Sequence, residues 1–289
     1  MNRLLASCCV ALLSTPFALA QMTAQDYLDV FIVNVKPDKR ADFDMVARKV
    51  AEANRKAKGV DWLAAGVEYG QGNTVYFIST RKDYAAIDSA STAFMNAIKE
   101  AYGPGGIKKM QSDFNNTVTS TRSEIRRRRW DLSINVPKDA DAYNKMIGEA
   151  RWLRTSRIVI RPGHEPDFEE AVKQAKSALE QSNQSWPYLV SQTVAGEPGN
   201  VYYISTLQPS LSAFDSSPSL RKILGDEAFL KWEKAAGDYE TTAETMLLRF
   251  LPELSNAPEE VAKVSPDFWH PKPMTAANPK PAAPAKTAQ

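Results

Sequence analysis

The feature that most constrains how this chain can fold is an internal repeat. Three segments recur in the same order: the Lys-Pro at 36–37 as the Arg-Pro at 161–162, the Asp-Phe at 42–43 as the Asp-Phe at 167–168, and residues 73–80 as residues 200–206 with one residue dropped. After each Asp-Phe pair, apolar residues follow at the i+3, i+4 and i+7 positions, which is typical of an amphipathic helix. The agreement of order and period predicts that a structural unit has been duplicated.

Each copy shows the same predicted order of elements. The first copy has a strand at 28–35, a helix at 38–58, two strands around the Gly-rich turn at 70–73, helical segments at 82–101 and 105–119, and a closing strand at 121–130; the second has the equivalent elements at 157–160, 163–183, around 196–199, 209–238 and 242–251. This is the β-α-β-β-α-β order of a ferredoxin-like unit, in which helices cover one face of a four-stranded antiparallel sheet. The predicted fold class is therefore α+β.

The first strand is apolar on both of its faces. Phe31, Val33 and Val35 alternate with Val30 and Ile32. A sheet covered by helices on one side only would alternate apolar and polar residues, so the second face should also be buried. We therefore expect two tandem ferredoxin-like units that pack sheet to sheet as a pseudo-dimeric α/β barrel.

This arrangement resembles the dimeric α/β-barrel superfamily, which includes antibiotic-biosynthesis-monooxygenase-like, NIPSNAP-like and chlorite-dismutase-like proteins. The resemblance covers about 26–251 and depends on the element order, the Lys-Pro or Arg-Pro entry into the first long helix, and the Val-Tyr-Phe/Tyr-Ile-Ser-Thr strand. It implies a ligand cavity between helices and sheet. Some members are cofactor-independent monooxygenases that surround an aromatic substrate with Trp, Asn and Arg. No family motif places these residue types here, so the catalytic residues stay unknown and we leave open whether the chain is an enzyme.

The chain ends differ in character from its middle. Residues 1–20 are predicted to be a signal peptide, because Leu4 to Leu13 is largely apolar and Ala18-Leu19-Ala20 matches a cleavage site. The alternative is a lipoprotein acylated at Cys8. The remaining predicted domains are unit one at 26–130, a surface linker at 131–150, unit two at 151–251, and a largely disordered Pro/Ala-rich tail at 252–289. We expect a periplasmic or secreted protein.

Composition excludes several classes of function. The chain has two Cys, two His and a formal net charge of +2. These counts exclude a zinc finger and a disulfide scaffold, and they favour a protein that uses no cofactor, no metal and no nucleic acid. Haem-binding members of the superfamily take a His ligand from the second unit, but His164 lies in a Pro-rich turn where an exposed side chain is expected. His270 lies in the predicted tail.

An arginine run is the main charge anomaly. Arg126 to Arg129 fall in the predicted closing strand of unit one, where alternate side chains face opposite sides. They either form ion pairs with Asp29, Glu68 or Glu124 or line an anion pocket, because the arginine fork suits carboxylate or phosphate groups. We expect at least one of Arg126, Arg128 and Arg157 to lie in a cavity.

Aromatic and amide side chains on the central strands are the other candidates. Trp62, Tyr76 and Tyr202 are interpreted either as sheet packing or as the lining of a pocket, with Asn34 and Gln192 as polar contacts.

Three functions remain open at this point. The first is an exported small-molecule-binding protein with a small aromatic or anionic ligand, and the second is a cofactor-independent monooxygenase-like enzyme acting on an aromatic substrate. The third is an envelope scaffold without a ligand. No transmembrane segment is predicted, and a monomer is expected because the two units pair internally.

Overall fold

The structure, a computed structural model, describes residues 27–181, 186–216 and 219–271. Within these residues, eight strands form a closed antiparallel barrel in the order β1-β3-β2-β8-β5-β7-β6-β4. The strands are β1 (Tyr27–Val35), β2 (Leu63–Tyr69), β3 (Thr74–Arg81), β4 (Val118–Arg128), β5 (Trp152–Ile160), β6 (Leu189–Ala195), β7 (Val201–Gln208) and β8 (Glu240–Phe250). The predicted signal peptide lies outside the described residues.

Helices cover the outside of the barrel and one of its ends. They are α1 (Arg40–Lys56), α2 (Tyr84–Thr117), α3 (Ala140–Glu149), α4 (Glu165–Gln181), α5 (Leu220–Leu224), α6 (Asp226–Tyr239), α7 (Glu259–Ala262) and α8 (Pro266–Trp269). Helix α2 begins where the Asp83 side chain accepts a hydrogen bond from the Ala86 backbone N–H. The helix breaks at Gly103, which has a φ of 64° and is followed by Pro104. The sequence predicts a break at this Gly-Pro segment.

The barrel wall consists of two four-stranded sheets joined at their edges. Strands β1–β4, with α1 and α2, form the N-terminal half, and strands β5–β8, with α4 to α6, form the C-terminal half. The halves meet where β2 pairs with β8 and where β4 pairs with β6. The two sheets therefore share one interior, and closure leaves no unpaired strand edge.

Side chains alternate between this interior and the helical layer. In β1, Val30 and Ile32 pack inside the barrel, whereas Val33 and Val35 pack beneath α1. Both faces of β1 are thus buried, as the apolar character of its two faces predicts.

The strand register differs from the sequence match between β3 and β7. Tyr76 pairs with Ile32 across β3 and β1, and Tyr203 pairs with Arg157 across β7 and β5. Tyr76 therefore corresponds to Tyr203, and the dropped residue in the sequence match is wrong. Because a one-residue slip exchanges the two faces of a strand, Tyr202 faces the helical layer while Tyr76 faces the interior.

The predicted linker and tail both contain ordered, buried segments. Helix α3 lies within 131–150 and buries Tyr143 and Ile147, so the expectation of a surface linker is wrong there. The expectation of disorder from Pro252 onward is wrong for 252–271, which forms a 3-10 turn and helices α7 and α8. The many prolines of this segment suggested disorder, but two of them stand at the first position of a helical turn. A proline is tolerated there because the backbone N–H of the first residue makes no hydrogen bond within the helix.

Trp269 holds this segment against one end of the barrel. Its ring is fully buried, packs edge-on against Phe250 at 5.6 Å, and donates a hydrogen bond of 3.0 Å to the Gly148 carbonyl oxygen. An added Cβ at Gly148 would meet Val264 Cβ at 2.5 Å, so glycine permits this close approach. Residues 252–271 and α3 therefore close the same barrel end. Residues 272–289 of the predicted tail lie outside the described residues.

Candidate functional site

Among the cavities formed by the described residues, two have similar volumes and are lined by the predicted site residues or their neighbours. One, the barrel cavity, has a volume of about 500 Å³ and lies inside the strands beneath α3 and α7. The other, the helix–sheet cavity, has a volume of about 530 Å³ and lies between the N-terminal sheet and helices α1 and α2. Both volumes fall in the range of roughly 300–1,000 Å³ that is usual for small-molecule sites.

Six leucines, three arginines and several hydroxyl-bearing side chains contribute to the wall of the barrel cavity. Inward-facing positions of six strands contribute Leu28, Leu63, Leu153, Leu189, Leu207 and Leu248. Arg126 and Arg128 project into the same space from β4, and both side chains are more than nine-tenths buried. The barrel cavity therefore combines an aliphatic surface with buried positive charge.

Arg126 belongs to an ion-pair network at the base of this cavity. Its Nε donates to Glu124 Oε2 at 2.7 Å, and the Tyr203 hydroxyl donates to the same oxygen at 3.0 Å. The Arg126 guanidinium carbon lies 3.4 Å from the centroid of the Tyr203 ring. Burial raises the pKa of Tyr203 to about 12, so its hydroxyl stays protonated as a donor.

The network extends toward the opposite end of the barrel. Arg122 Nη2 lies 2.7 Å from Glu124 Oε1, and Arg122 also pairs with Glu197. Arg157 Nη2 donates to Glu197 at 2.9 Å. Three arginines thus share two glutamates, and Arg157 lies in this network rather than on the wall of either cavity.

Arg128 differs from Arg126 in its partners. Its Nη2 donates to the Tyr143 hydroxyl, and its guanidinium carbon lies 5.1 Å from the Trp130 ring centroid. Within 27–181, 186–216 and 219–271, no carboxylate forms an ion pair with Arg128, and its buried Nε has no hydrogen-bond partner. Arg128 is therefore a buried cation whose charge is not neutralised by an acidic side chain.

The rim of the barrel cavity carries both signs of charge. Asp61 and Glu260 are exposed there, and Arg81 lies beside them. Partial desolvation at the rim raises the pKa of Asp61. The positive charge of Arg81 opposes this rise, and the negative charge of Glu260 adds to it. Entry to the barrel cavity thus passes two carboxylates.

The helix–sheet cavity has an aromatic wall. Phe31 and Phe77 from the sheet meet Phe43 of α1 and Phe114 of α2, with ring centroids 6.1 to 6.3 Å apart. Further along α2, Phe94 packs 6.1 Å from the Trp62 ring. Aromatic side chains on nearly every side indicate a site for a flat apolar molecule.

One end of the helix–sheet cavity is polar. Arg81 Nε lies 3.8 Å from Asp29 Oδ2, and this buried Nε has no hydrogen-bond partner among the described residues. Burial raises the pKa of Asp29 and lowers the pKa of Arg81, and the attraction between the two groups opposes each shift. The pair places a donor at the end of an otherwise apolar space.

Three side chains form the partition between the two cavities. Trp62, Ser79 and Arg81 line both of them. Trp62 Nε1 donates to the Leu254 carbonyl oxygen at 2.8 Å, and Ser79 Oγ donates to the Asp61 carbonyl oxygen at 2.8 Å. These hydrogen bonds fix the partition to the segment after β8 and to the start of β2.

At the equivalent place in the C-terminal half, the described side chains pack into a core cluster. Phe168 of α4 lies 4.6 Å from the Tyr202 ring centroid and 6.1 Å from that of Tyr239. The Tyr202 hydroxyl donates to Glu169 at 2.8 Å, and Glu169 pairs with Arg129. Tyr202 thus belongs to a packed core rather than to a cavity wall.

The structure brings together four of the eight residues predicted for the site. Tyr76, Arg126 and Arg128 line the barrel cavity, and Trp62 lines both cavities. Arg157 and Tyr202 lie elsewhere, as described above. Asn34 donates to Ser120 at the far end of the barrel, and Gln192 accepts from Arg129 on the outer face.

Sequence reasoning missed several residues of both sites. Arg81 is an isolated charge at the end of β3, and α3 supplies Tyr143 from the predicted linker; Asp29 is predicted only as an ion-pair partner of the arginine run, whereas it pairs with Arg81. The sequence held a signal only for Arg81. This residue places a charge at the end of an apolar strand, whereas the corresponding residue of the second copy, Gln208, is uncharged.

Metal and haem ligands do not converge in this structure. The part of the chain that is described contains no cluster of three His, Cys, Asp or Glu side chains suited to a metal ion. His164 lies in an exposed turn with its Nδ1 2.9 Å from Asp167, and it lines neither cavity. The residues present therefore do not fit a haem held by His164. No helix of the described residues is long and apolar enough to cross a membrane.

The fold is a closed eight-stranded antiparallel barrel with helices on its outside. Similar solved structures are those of two provisionally assigned monooxygenases, from Lactobacillus acidophilus (11% identity, covering 78% of this chain and 94% of that one, TM-score 0.46) and Fusobacterium nucleatum (13%, 79% and 93%, 0.49). A mutant chlorite dismutase from Candidatus Nitrospira defluvii is also similar (8%, 84% and 98%, 0.47). No family model and no curated protein sequence matches the chain.

Proposed function

We propose that this chain is an exported small-molecule-binding protein whose ligand, a flat apolar molecule with one polar substituent, occupies the helix–sheet cavity. The chain consists, in this proposal, of two duplicated ferredoxin-like units of which only the first keeps an open ligand space. The observation that carries the proposal is the aromatic cavity of about 530 Å³ with Arg81 at one end.

The chemistry of the wall selects the ligand class. Five phenylalanines and Trp62 provide dispersion contacts and offer almost no hydrogen bonds to a polar molecule. Arg81 Nε supplies a donor that has no protein partner among the described residues. A phenolic or carbonyl oxygen on an aromatic ring would satisfy that donor while the ring packs between Phe94 and Phe114.

A variant whose helix–sheet cavity is filled by a larger side chain tests the proposed binding function. Titration calorimetry with 2-naphthol as the probe should show one binding site per chain. Ala90→Phe, on the cavity wall, should weaken 2-naphthol binding at least tenfold because the new ring occupies the ligand space. Ala85→Phe adds the same ring on the exposed face of α2 and should bind as the parent protein does. Equal binding by the two variants would contradict the proposal.

A second candidate is a cofactor-independent oxygenase acting in the same cavity. The observation that favours it is the presence of Trp62 and Arg81 on one wall, because the resembling enzymes use Trp and Arg around an aromatic substrate. Oxygen uptake with 1,5-dihydroxynaphthalene as the probe, lost in Ala90→Phe, would support the enzyme. Binding of 2-naphthol without oxygen uptake would support the binding function and contradict the oxygenase.

Export is a separate part of the proposal. The apolar segment and the Ala18-Leu19-Ala20 site support it. Expression of the full chain in a Gram-negative host, followed by N-terminal sequencing, should give a mature protein that begins at Gln21. A lipid-modified N-terminus at Cys8 would instead support the lipoprotein alternative.

A further inference from the structure

The barrel cavity carries an inference independent of the helix–sheet site. From the arginines and leucines that line it, we infer that the barrel interior is a second binding site, specific for a monocarboxylate with an aliphatic chain, and that Arg128 holds the carboxylate.

The first step of the argument concerns charge. Arg122, Arg126 and Arg157 are paired with Glu124 and Glu197, whereas Arg128 has no acidic partner among the described residues. Its contacts are the Tyr143 hydroxyl and the Trp130 and Tyr143 rings, which stabilise a cation without neutralising it. A buried charge without a counter-ion is costly, and a bound anion removes that cost.

The second step concerns geometry. Arg128 Nε is buried and lacks a hydrogen-bond partner in the described residues, and the side chain lines the cavity. A carboxylate accepts two parallel N–H bonds from an arginine fork, so the unsatisfied Nε marks one of these positions. The Tyr143 hydroxyl, held by Arg128 Nη2, offers its proton to the same anion.

The third step concerns the body of the ligand. The six leucines named above line the same cavity as Arg126 and Arg128, and Val30, Ile78 and Ile147 add to this aliphatic surface. An aliphatic chain gains from burial against such a surface, and the volume of about 500 Å³ accommodates one of medium length.

The corresponding strand of the C-terminal half carries apolar residues where β4 carries these arginines. By strand register, Arg126 and Arg128 of β4 occupy the positions that Leu248 and Phe250 occupy in β8, with the same burial pattern. A strand with this burial pattern therefore forms with apolar residues at these positions in the other half of the barrel.

Decanoate and decanol are suitable probes, because they share a chain length and differ in the head group. Titration calorimetry should show one decanoate per chain, with decanol at least tenfold weaker. Arg128→Gln should lower the decanoate affinity at least tenfold and leave the decanol affinity unchanged. Arg127→Gln removes the same charge from the exposed neighbour on β4 and should stay within twofold of the parent protein.

Folding and site assignment have their own readouts. Arg128→Gln should melt at the same temperature as the ligand-free parent protein or higher, since an unneutralised buried charge is removed; a purely structural arginine would give a lower melting temperature. Ser191→Phe, which adds a ring to the cavity beside Arg128 on the neighbouring strand β6, should also abolish decanoate binding. Ala90→Phe should leave decanoate binding intact, which separates this site from the 2-naphthol site. No decanoate binding by the parent protein, or equal affinities for decanoate and decanol, would overturn the inference.

Discussion

The two halves of the barrel have the same backbone arrangement and opposite interiors. In the N-terminal half, the space between helices and sheet is an open aromatic cavity, and β4 places arginines and a glutamate inside the barrel. In the C-terminal half, Phe168, Tyr202 and Tyr239 fill the equivalent space, and β8 places Met246, Leu248 and Phe250 inside. The comparison teaches that the C-terminal half packs side chains between its helices and sheet, that the N-terminal half leaves a cavity there, and that both halves line the barrel cavity.

The largest expected difference concerns two corresponding phenylalanines. Phe168→Ala should lower the free energy of unfolding by about 3–5 kcal/mol, because it empties a tightly packed layer. Phe43→Ala, at the matching position of α1, should cost less, since one side of its ring already faces the cavity. Urea denaturation of both variants measures the difference. A larger loss at Phe43 would break the comparison.

The next prediction concerns the barrel interior, where Glu124 corresponds to Met246. Glu124→Gln should cost about 3–5 kcal/mol of unfolding free energy, because it leaves Arg126 as a second buried cation without a carboxylate. Met246→Leu should cost less than about 1.5 kcal/mol, as expected for an exchange between apolar side chains of similar volume. Similar losses in the two variants would show that the Glu124 network does not stabilise the N-terminal half.

The smallest effects, about 1 kcal/mol or less, concern pH and have opposite signs in the two halves. Arg129 holds the pKa of Glu169 below its usual range, so its contribution to stability is present above about pH 4.5 and is lost as pH falls further. Burial raises the pKa of Asp29, so its penalty is present at neutral pH and disappears as pH falls toward 3.8.

Urea denaturation at several pH values between 3 and 7 checks both signs. Compared with the parent protein, Glu169→Gln should lose stability mainly at neutral pH, and Asp29→Asn should show a weaker gain on acidification. Parallel stability curves for the two variants would contradict the opposite roles of these carboxylates.

The sequence predicts the elements of this fold better than its sites. Apolar periods and Gly-rich turns specify local structure, which is why the order around Phe43 and Phe168 agrees with the structure. The side of the sheet to which a strand residue points is harder to predict. The sequence match with one dropped residue aligns Tyr76 with Tyr202, whereas the strand register aligns Tyr76 with Tyr203, and Tyr202 points to the other side. Arg128 was recognisable as an anomaly, but its neighbour Tyr143 comes from a segment whose polar composition concealed a buried helix.

Xenon binding tests the central claim, that the N-terminal half alone keeps an open helix–sheet space, most directly. Xenon enters dry apolar cavities and is readily located in crystals under pressure. The account predicts xenon between Phe94 and Phe114 beneath α2, and none between Phe168 and Tyr239 beneath α4. Xenon beneath α4, or its absence beneath α2, would contradict the account.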